Sequence, residues 1–154
     1  PMNIATLLQQ KKIPYETVKH EPTFTAQELA AAEHVSGNRV AKVVVASAGE
    51  RFYMLVLPAS YIVRFDRVNQ ILGTRDARLA TEEEMSDLFS DCELGAMPPF
   101  GHEYGLEVYA DRHLAEGRDI IFEAGHHDEA IRMKWSDYER LEHPSLVDFA
   151  SHLH

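Results

Sequence analysis

The chain has 154 residues, 45% of them hydrophobic and 26% charged, with a formal net charge of −10. That length suits one domain with a real core, and the acidic balance excludes a protein that grips a long tract of nucleic-acid backbone. No stretch approaches the roughly 20 consecutive apolar residues of a membrane helix, and the opening PMNIATLLQQKK lacks the apolar run of a secretory leader.

Residues 3–11 carry Ile4, Leu7 and Leu8 at helical spacing, with Asn3 as N-cap and Pro14 beyond the end, which predicts a helix. Residues 15–19 alternate and predict a strand. Thr25 and Glu28 form a capping box for a helix over 26–34. RVAKVVVAS and RFYMLVLPA, separated by a turn at Gly49, read as a hairpin of two strands. A short helix over 66–72 should end at Gly73, and a short strand is expected at 77–80. Thr81 with Glu84 opens a helix over 82–89. The Gly and Pro content of residues 92–105 excludes regular structure there. GLEVYAD, DIIFEAG and EAIRMKW read as strands, Ser136 as the cap of a short helix DYERLEH, and Ser145 as the start of a last helix ending in SHLH. No repeat, low-complexity tract or Gly/Ser linker interrupts the chain, so residues 1–154 are expected to form a single domain. Hairpins mixed with helices predict an α/β fold around one mixed, strongly curved, barrel-like sheet flanked by helices.

Arg39, Lys42, Arg64, Arg67, Arg75 and Arg78 lie in the first half, whereas residues 81–93 are strongly acidic. This asymmetry permits a local positive patch, large enough for one exposed nucleic-acid end; a merely solvated surface is the plainer reading. Cys92 is the only cysteine, so no internal disulfide forms, which fits a cytoplasmic protein.

Three features could carry chemistry. Lys42 sits among apolar neighbours on a buried-type strand, on the face opposite Val43 and Val45. Such a lysine either runs its stem out to solvent or holds a phosphate or an ester carbonyl. The second feature is the loop LGAMPPFG. Gly95 and Gly101 allow unusual backbone shapes, and Pro98 and Pro99 stiffen its middle. The remaining N–H groups of Ala96, Met97, Phe100 and Gly101 could face an oxyanion. Met97 and Phe100 could line a small pocket or cap the core. The third is Ala124-Gly125-His126-His127-Asp128 at a strand end, where His126 could donate a hydrogen bond or act as acid or base. Adjacent histidines on a strand point apart, and no metal-binding spacing is present, so no metal is assigned. Signature motifs of serine hydrolases, nucleotide-binding loops and zinc sites are absent.

In order and spacing these features resemble the YbaK-like aminoacyl-tRNA deacylases and the editing domain of prolyl-tRNA synthetase. The resemblance covers nearly the whole chain: the opening helix, HEPTFTAQELA, RVAKVVV, LVLPA, GAMPPFG and the late AGH. Gly95-Ala96-Met97-Pro98-Pro99 matches the family's G-x-x-x-P pattern, Lys42 its strand lysine, and Gly125-His126 a Gly–His pair. It implies a cytoplasmic trans-editing hydrolase that cleaves the ester of a mischarged tRNA, nearest the type acting on alanine or another small residue on the proline tRNA. It also implies a substrate-assisted reaction without metal or cofactor. Lys42 would grip the tRNA 3′ end, the loop would hold the aminoacyl group, and His126 with Met97 and Phe100 would shape the pocket. Prolyl-tRNA synthetase or an elongation factor would supply tRNA specificity; neither DNA nor a membrane is implied. Two other readings stand beside it: a non-catalytic tRNA- or ligand-binding regulatory module of the same fold, and a metal hydrolase built on His126, Asp128 and another histidine.

Overall fold

The computed structural model describes residues 3–19, 21, 25–32 and 38–152. Helix α1 (Ile4–Gln10) starts where Asn3 accepts the Thr6 N–H through its side chain. Strand β1 (Tyr15–Lys19) follows, then α2 (Ala26–Ala32), where the Thr25 hydroxyl oxygen accepts the Glu28 N–H at 3.0 Å. The two further residues expected in this helix lie outside the described residues, as does much of the HEPTFTAQELA segment.

Strands β2 (Ala41–Ala48) and β3 (Arg51–Pro58) form the expected hairpin. Its turn, Gly49-Glu50, places both residues at positive φ, +57° and +65°. This is the two-residue geometry whose twist matches the paired strands. β4 (Tyr61–Val63) leads to α3 (Phe65–Leu72), which Gly73 closes in the left-handed conformation. After β5 (Arg78–Leu79), the Thr81–Glu84 capping box is complete in both directions and opens α4 (Glu82–Leu88). Then come β6 (Glu107–Asp111), β7 (Asp119–Glu123), β8 (Glu129–Lys134) and α5 (Trp135–Glu142), with β9 (Ser145–Val147) and β10 (Ala150–His152) last.

The strands divide among three sheets, in the orders β5-β2-β3-β6-β9, β1-β8-β7 and β10-β4. The first is mixed, since β3–β6 and β6–β9 are parallel and the rest antiparallel. One isolated parallel bridge, Val40–Ile121, joins the two larger sheets. The α/β class is as expected, but the strands do not form one sheet, and among the described residues none of the sheets closes on itself. Ala41, Val45, Met54 and Val56 face the main core, where Phe100, Phe122 and Tyr138 also lie. Ala46, Leu55 and Leu57 turn the other way, toward Val68 and Phe149.

Two expectations fail at the C-terminus. Lys134, not Ser136, is the N-cap of α5, and Ser136 lies inside its first turn. The anchor that sets this start is Trp135, which is buried and donates its N–H to the Arg118 carbonyl at 2.8 Å. The last helix is instead two three-residue strands: β9 pairs with β6, and β10 pairs with β4. Segments this short take the form that open sheet edges offer them, whatever their local propensity. Ser151 and His152 therefore belong to a strand, and the last two residues of SHLH lie outside the described residues.

Candidate functional site

The loop after α4 is fixed from two sides. On one side it meets the turn between β7 and β8. The Glu93 N–H donates to the Gly125 carbonyl at 2.9 Å, and the Gly125 N–H donates to the Ala96 carbonyl at 2.8 Å. Gly95 and Gly125 both take positive φ, +87° and +103°, at this junction, a conformation open to glycine at no steric cost. On the other side stands α5. The Tyr138 hydroxyl donates to the Pro99 carbonyl at 2.6 Å, and the His102 N–H donates to Glu142 at 3.0 Å. Burial pushes the Glu142 carboxyl above the usual carboxylate range, and the His102 contacts oppose that shift.

The side chains of this loop hold the core together. Phe100 is fully buried, with its ring 5.5 Å from both Phe122 and Tyr138 in edge-on contacts, and Met97 is buried in the same cluster. Of the two alternatives for Met97 and Phe100, core capping holds and pocket lining does not. The backbone set also shrinks. Ala96 N–H donates to the Glu93 carbonyl and Phe100 N–H to the Pro98 carbonyl. Among the described residues the N–H groups of Met97 and Gly101 have no such partner. Gly101 also has a packing duty, since a Cβ there would meet Val108 Cγ2 at 2.5 Å.

Pro98, Gly125 and His126 line one small cleft together with Asp91, Cys92 and Glu129. His126 is mostly exposed and its Nδ1 lies 3.3 Å from Glu93 Oε1. Cys92 is half-buried, with Sγ 3.1 Å from the Tyr104 hydroxyl and 3.4 Å from Asp91 Oδ1. Burial pushes its thiol up to about 11, so at neutral pH it is no nucleophile. Iodoacetamide should therefore modify Cys92 slowly at pH 7, with a rate that climbs about tenfold per pH unit toward that value. A rate that levels off below pH 9 would contradict this environment.

Lys42 stands apart from that cleft. Alternation along β2 puts it on the side of Val44 and Ala46, away from Met97 and Phe100. It is half-buried, and its Nζ donates to the Ala59 carbonyl at 3.3 Å. Burial draws its pKa below the ordinary lysine value. Among the described residues no carboxylate oxygen lies within 4.0 Å of its Nζ. Three of the arginines named with it differ: Arg39 pairs with Asp119, Arg67 with Asp148 and Arg78 with Glu84. Half of the basic patch that the sequence permits is thus neutralised, while Lys42, like Arg64 and Arg75, has no acid partner among the described residues. The loop and Gly125-His126 are brought together; no described contact joins either of them to Lys42. Two residues beyond the Val40–Ile121 bridge stand Lys42 on β2 and Glu123 on β7, so Lys42 and the β7–β8 turn lie on the same side of that bridge.

The profile of the aminoacyl-tRNA editing domain matches residues 20–141. The chain belongs to that family. It is 28% identical over 151 residues to the multifunctional Ser/Thr-tRNA deacylase ProXp-y of Escherichia coli, covering 95% of this chain and 90% of that protein. It is 30% identical over 139 residues to the proline–tRNA ligase of Thiobacillus denitrificans, covering 87% of this chain but 24% of the ligase. Two crystal structures share the fold. The hypothetical protein APE2540 superposes with a TM-score of 0.87 at 17% identity, covering 96% of this chain and 99% of that one. A candidate trans-editing enzyme for prolyl tRNA synthetase superposes at 0.84 with 21% identity, covering 96% and 94%. At those identities the likeness concerns the fold alone.

The residues that fasten the loop were not singled out from sequence. Tyr138 and Glu142 share a face of α5 with Trp135, a spacing that the sequence does display. His127 and Glu123 had no such signal, because their partners come from 33 residues away and from the far end of a turn.

Proposed function

We propose that the chain, as one editing domain spanning residues 1–154, hydrolyses the ester linking a wrongly attached amino acid to the 3′ end of a tRNA. The observation that carries this reading is Lys42: a half-buried ammonium group with no carboxylate within reach among the described residues, on a domain of the editing family. A cation kept out of ion pairs in a partly dry setting suits a phosphate or a developing oxyanion. In the proposed reaction a water attacks the ester carbonyl. The negative charge develops on the carbonyl oxygen, and the ribose oxygen leaves with a proton, giving free amino acid and intact tRNA. The neighbouring ribose hydroxyl orients the water, so neither a protein nucleophile nor a metal is required. Lys42 grips the terminal adenosine phosphate or the ester. The N–H groups of Met97 and Gly101 receive the aminoacyl group, and His126 borders the entrance.

The favoured substrate is a small residue, alanine on the proline tRNA. Serine and threonine form the second reading, which the relative named for Ser/Thr-tRNA deacylation supports. One methylene is worth only about 1–3 kcal/mol in an apolar pocket, so alanine and serine are expected to separate weakly. The test is a panel of Ala-, Ser-, Thr- and Cys-tRNA, each on the proline and on the cognate tRNA, with and without chelator. At least one small aminoacyl group should be released well above the uncatalysed rate, with no effect of chelator. Silence on the whole panel would favour the non-catalytic binding module, and loss of activity with chelator would favour metal chemistry.

A further inference from the structure

The two adjacent histidines of the β7–β8 turn have opposite fates. His126 points outward, whereas the His127 side chain is only 8% exposed. Nε2 makes a hydrogen bond, and Nδ1 stands at ion-pair distance from a buried carboxylate without hydrogen-bond geometry. Nδ1 lies 3.1 Å from Glu123 Oε2, itself buried, and Nε2 lies 2.7 Å from the Leu94 carbonyl oxygen. A carbonyl oxygen only accepts, so Nε2 carries the hydrogen. The Glu93 carboxylate stands further off, at 3.9 Å from the same nitrogen.

The consequence concerns one peptide unit. In a trans peptide the C=O of one residue and the N–H of the next point in opposite directions. With the Leu94 carbonyl held by His127, the Gly95 N–H is turned the other way, toward Met97 Sδ at 3.2 Å. Gly95, at φ +87°, has no side chain to resist a flip of that unit. The other ties between this loop and the turn are backbone bonds through Gly125 and the exposed His126–Glu93 contact. His127 is the buried side chain that holds the Leu94 carbonyl at the loop's start.

The geometry points to His127 as a positioning residue: its imidazole, clamped between the Glu123 carboxylate and the Leu94 carbonyl, holds the 94–95 peptide, and through it loop 95–101, in the orientation that receives the aminoacyl group. The role rests on the deacylase reading for its catalytic part, but the tether itself does not. Sub-ångström placement of groups around a reacting ester is worth up to about 100-fold in rate.

Two amides separate the two ends of the ring. The amide of His127→Gln falls where Nε2 stood and keeps the bond to Leu94. The amide of His127→Asn falls where Nδ1 stood and keeps only the Glu123 side. Deacylation by His127→Gln should stay within about threefold of wild type, whereas His127→Asn and His127→Leu should lose about 10- to 100-fold, mainly in kcat. Amide hydrogen exchange at Ala96 and Gly125 should remain slow in the Gln variant and quicken about tenfold or more in the other two. Equal losses in Gln and Asn, or an Asn variant better than Gln, would overturn the assignment. Should the Asn variant not fold, the folded Gln variant decides alone, and a loss there beyond about tenfold refutes the role. If wild type hydrolyses nothing, the deacylase reading fails, and the exchange comparison still tests the tether.

Discussion

Replacing Lys42 by methionine is expected to lower kcat/KM for aminoacyl-tRNA hydrolysis by about 100- to 1,000-fold, the usual effect of deleting one preorganised charge or donor at an acyl-transfer site. The melting temperature should stay where it is or rise. Methionine keeps the length of the stem, and among the described residues the ammonium it removes makes one hydrogen bond, to the Ala59 carbonyl. Burial lowers the pKa of Lys42 from 10.5, so folding disfavours its charged form. Between the folded and unfolded values the unfolded chain binds more protons, and stability contributed by this group rises with pH there. The penalty is full below the folded pKa and fades as pH climbs toward the ordinary lysine value. The stabilisation of Lys42→Met over wild type should therefore be greatest near neutrality and shrink in strongly alkaline buffer. A variant that melts well below wild type would mark Lys42 as a packing residue that extends its stem to solvent. A variant that melts normally and hydrolyses normally would remove it from the site.

What the sequence revealed of this fold follows from how local the cause is. The Asn3 cap, the Gly49-Glu50 turn, the left-handed stop at Gly73 and the Thr81–Glu84 box each join residues no more than four apart. Side chain and backbone are covalent near-neighbours there, and the pattern is written in one short window. The two C-terminal strands are not local. β9 exists because β6 offers it an edge 36 residues earlier, as Tyr109 pairs with Ser145, and β10 because β4 does. The site divides in the same way. Gly95, Gly125, Pro98 and His126 were visible as residue types with unusual conformational or acid–base capacity, and the structure brings Pro98, Gly125 and His126 to one cleft. That Met97 and Phe100 turn inward could not be read from the loop, because the ring slot between Phe122 and Tyr138 belongs to β7 and α5. The barrel-like sheet is not seen among the described residues, for a related reason. Strand pairing between the two larger sheets stops at one bridge, and alternating hydrophobicity along a strand does not report which edge it finds.

Phe100→Ala is expected to produce the largest loss of stability, about 3–5 kcal/mol. The ring is fully buried and lies against two other aromatic rings that α5 and β7 hold rigidly, so the space it leaves cannot collapse. In a chain of this length each kcal/mol moves the melting temperature by roughly 2–4 °C, which places the fall near 6–20 °C. Gly101→Ala should act in the same region by the opposite route. Its added Cβ would sit 2.5 Å from Val108 Cγ2 and 3.0 Å from the Leu106 carbonyl, an overpacking that costs about 1–3 kcal/mol. Tyr138→Phe removes only the hydroxyl bond to the Pro99 carbonyl, worth about 1 kcal/mol. If the loop works by being held, deacylase activity should fall across these three variants in step with the loss of anchoring, even at temperatures where each remains folded. In Lys42→Met, by contrast, activity falls with no loss of stability. A Phe100→Ala protein that melts within about 1 kcal/mol of wild type would show that the ring is no anchor, and the loop would then need another account of its rigidity.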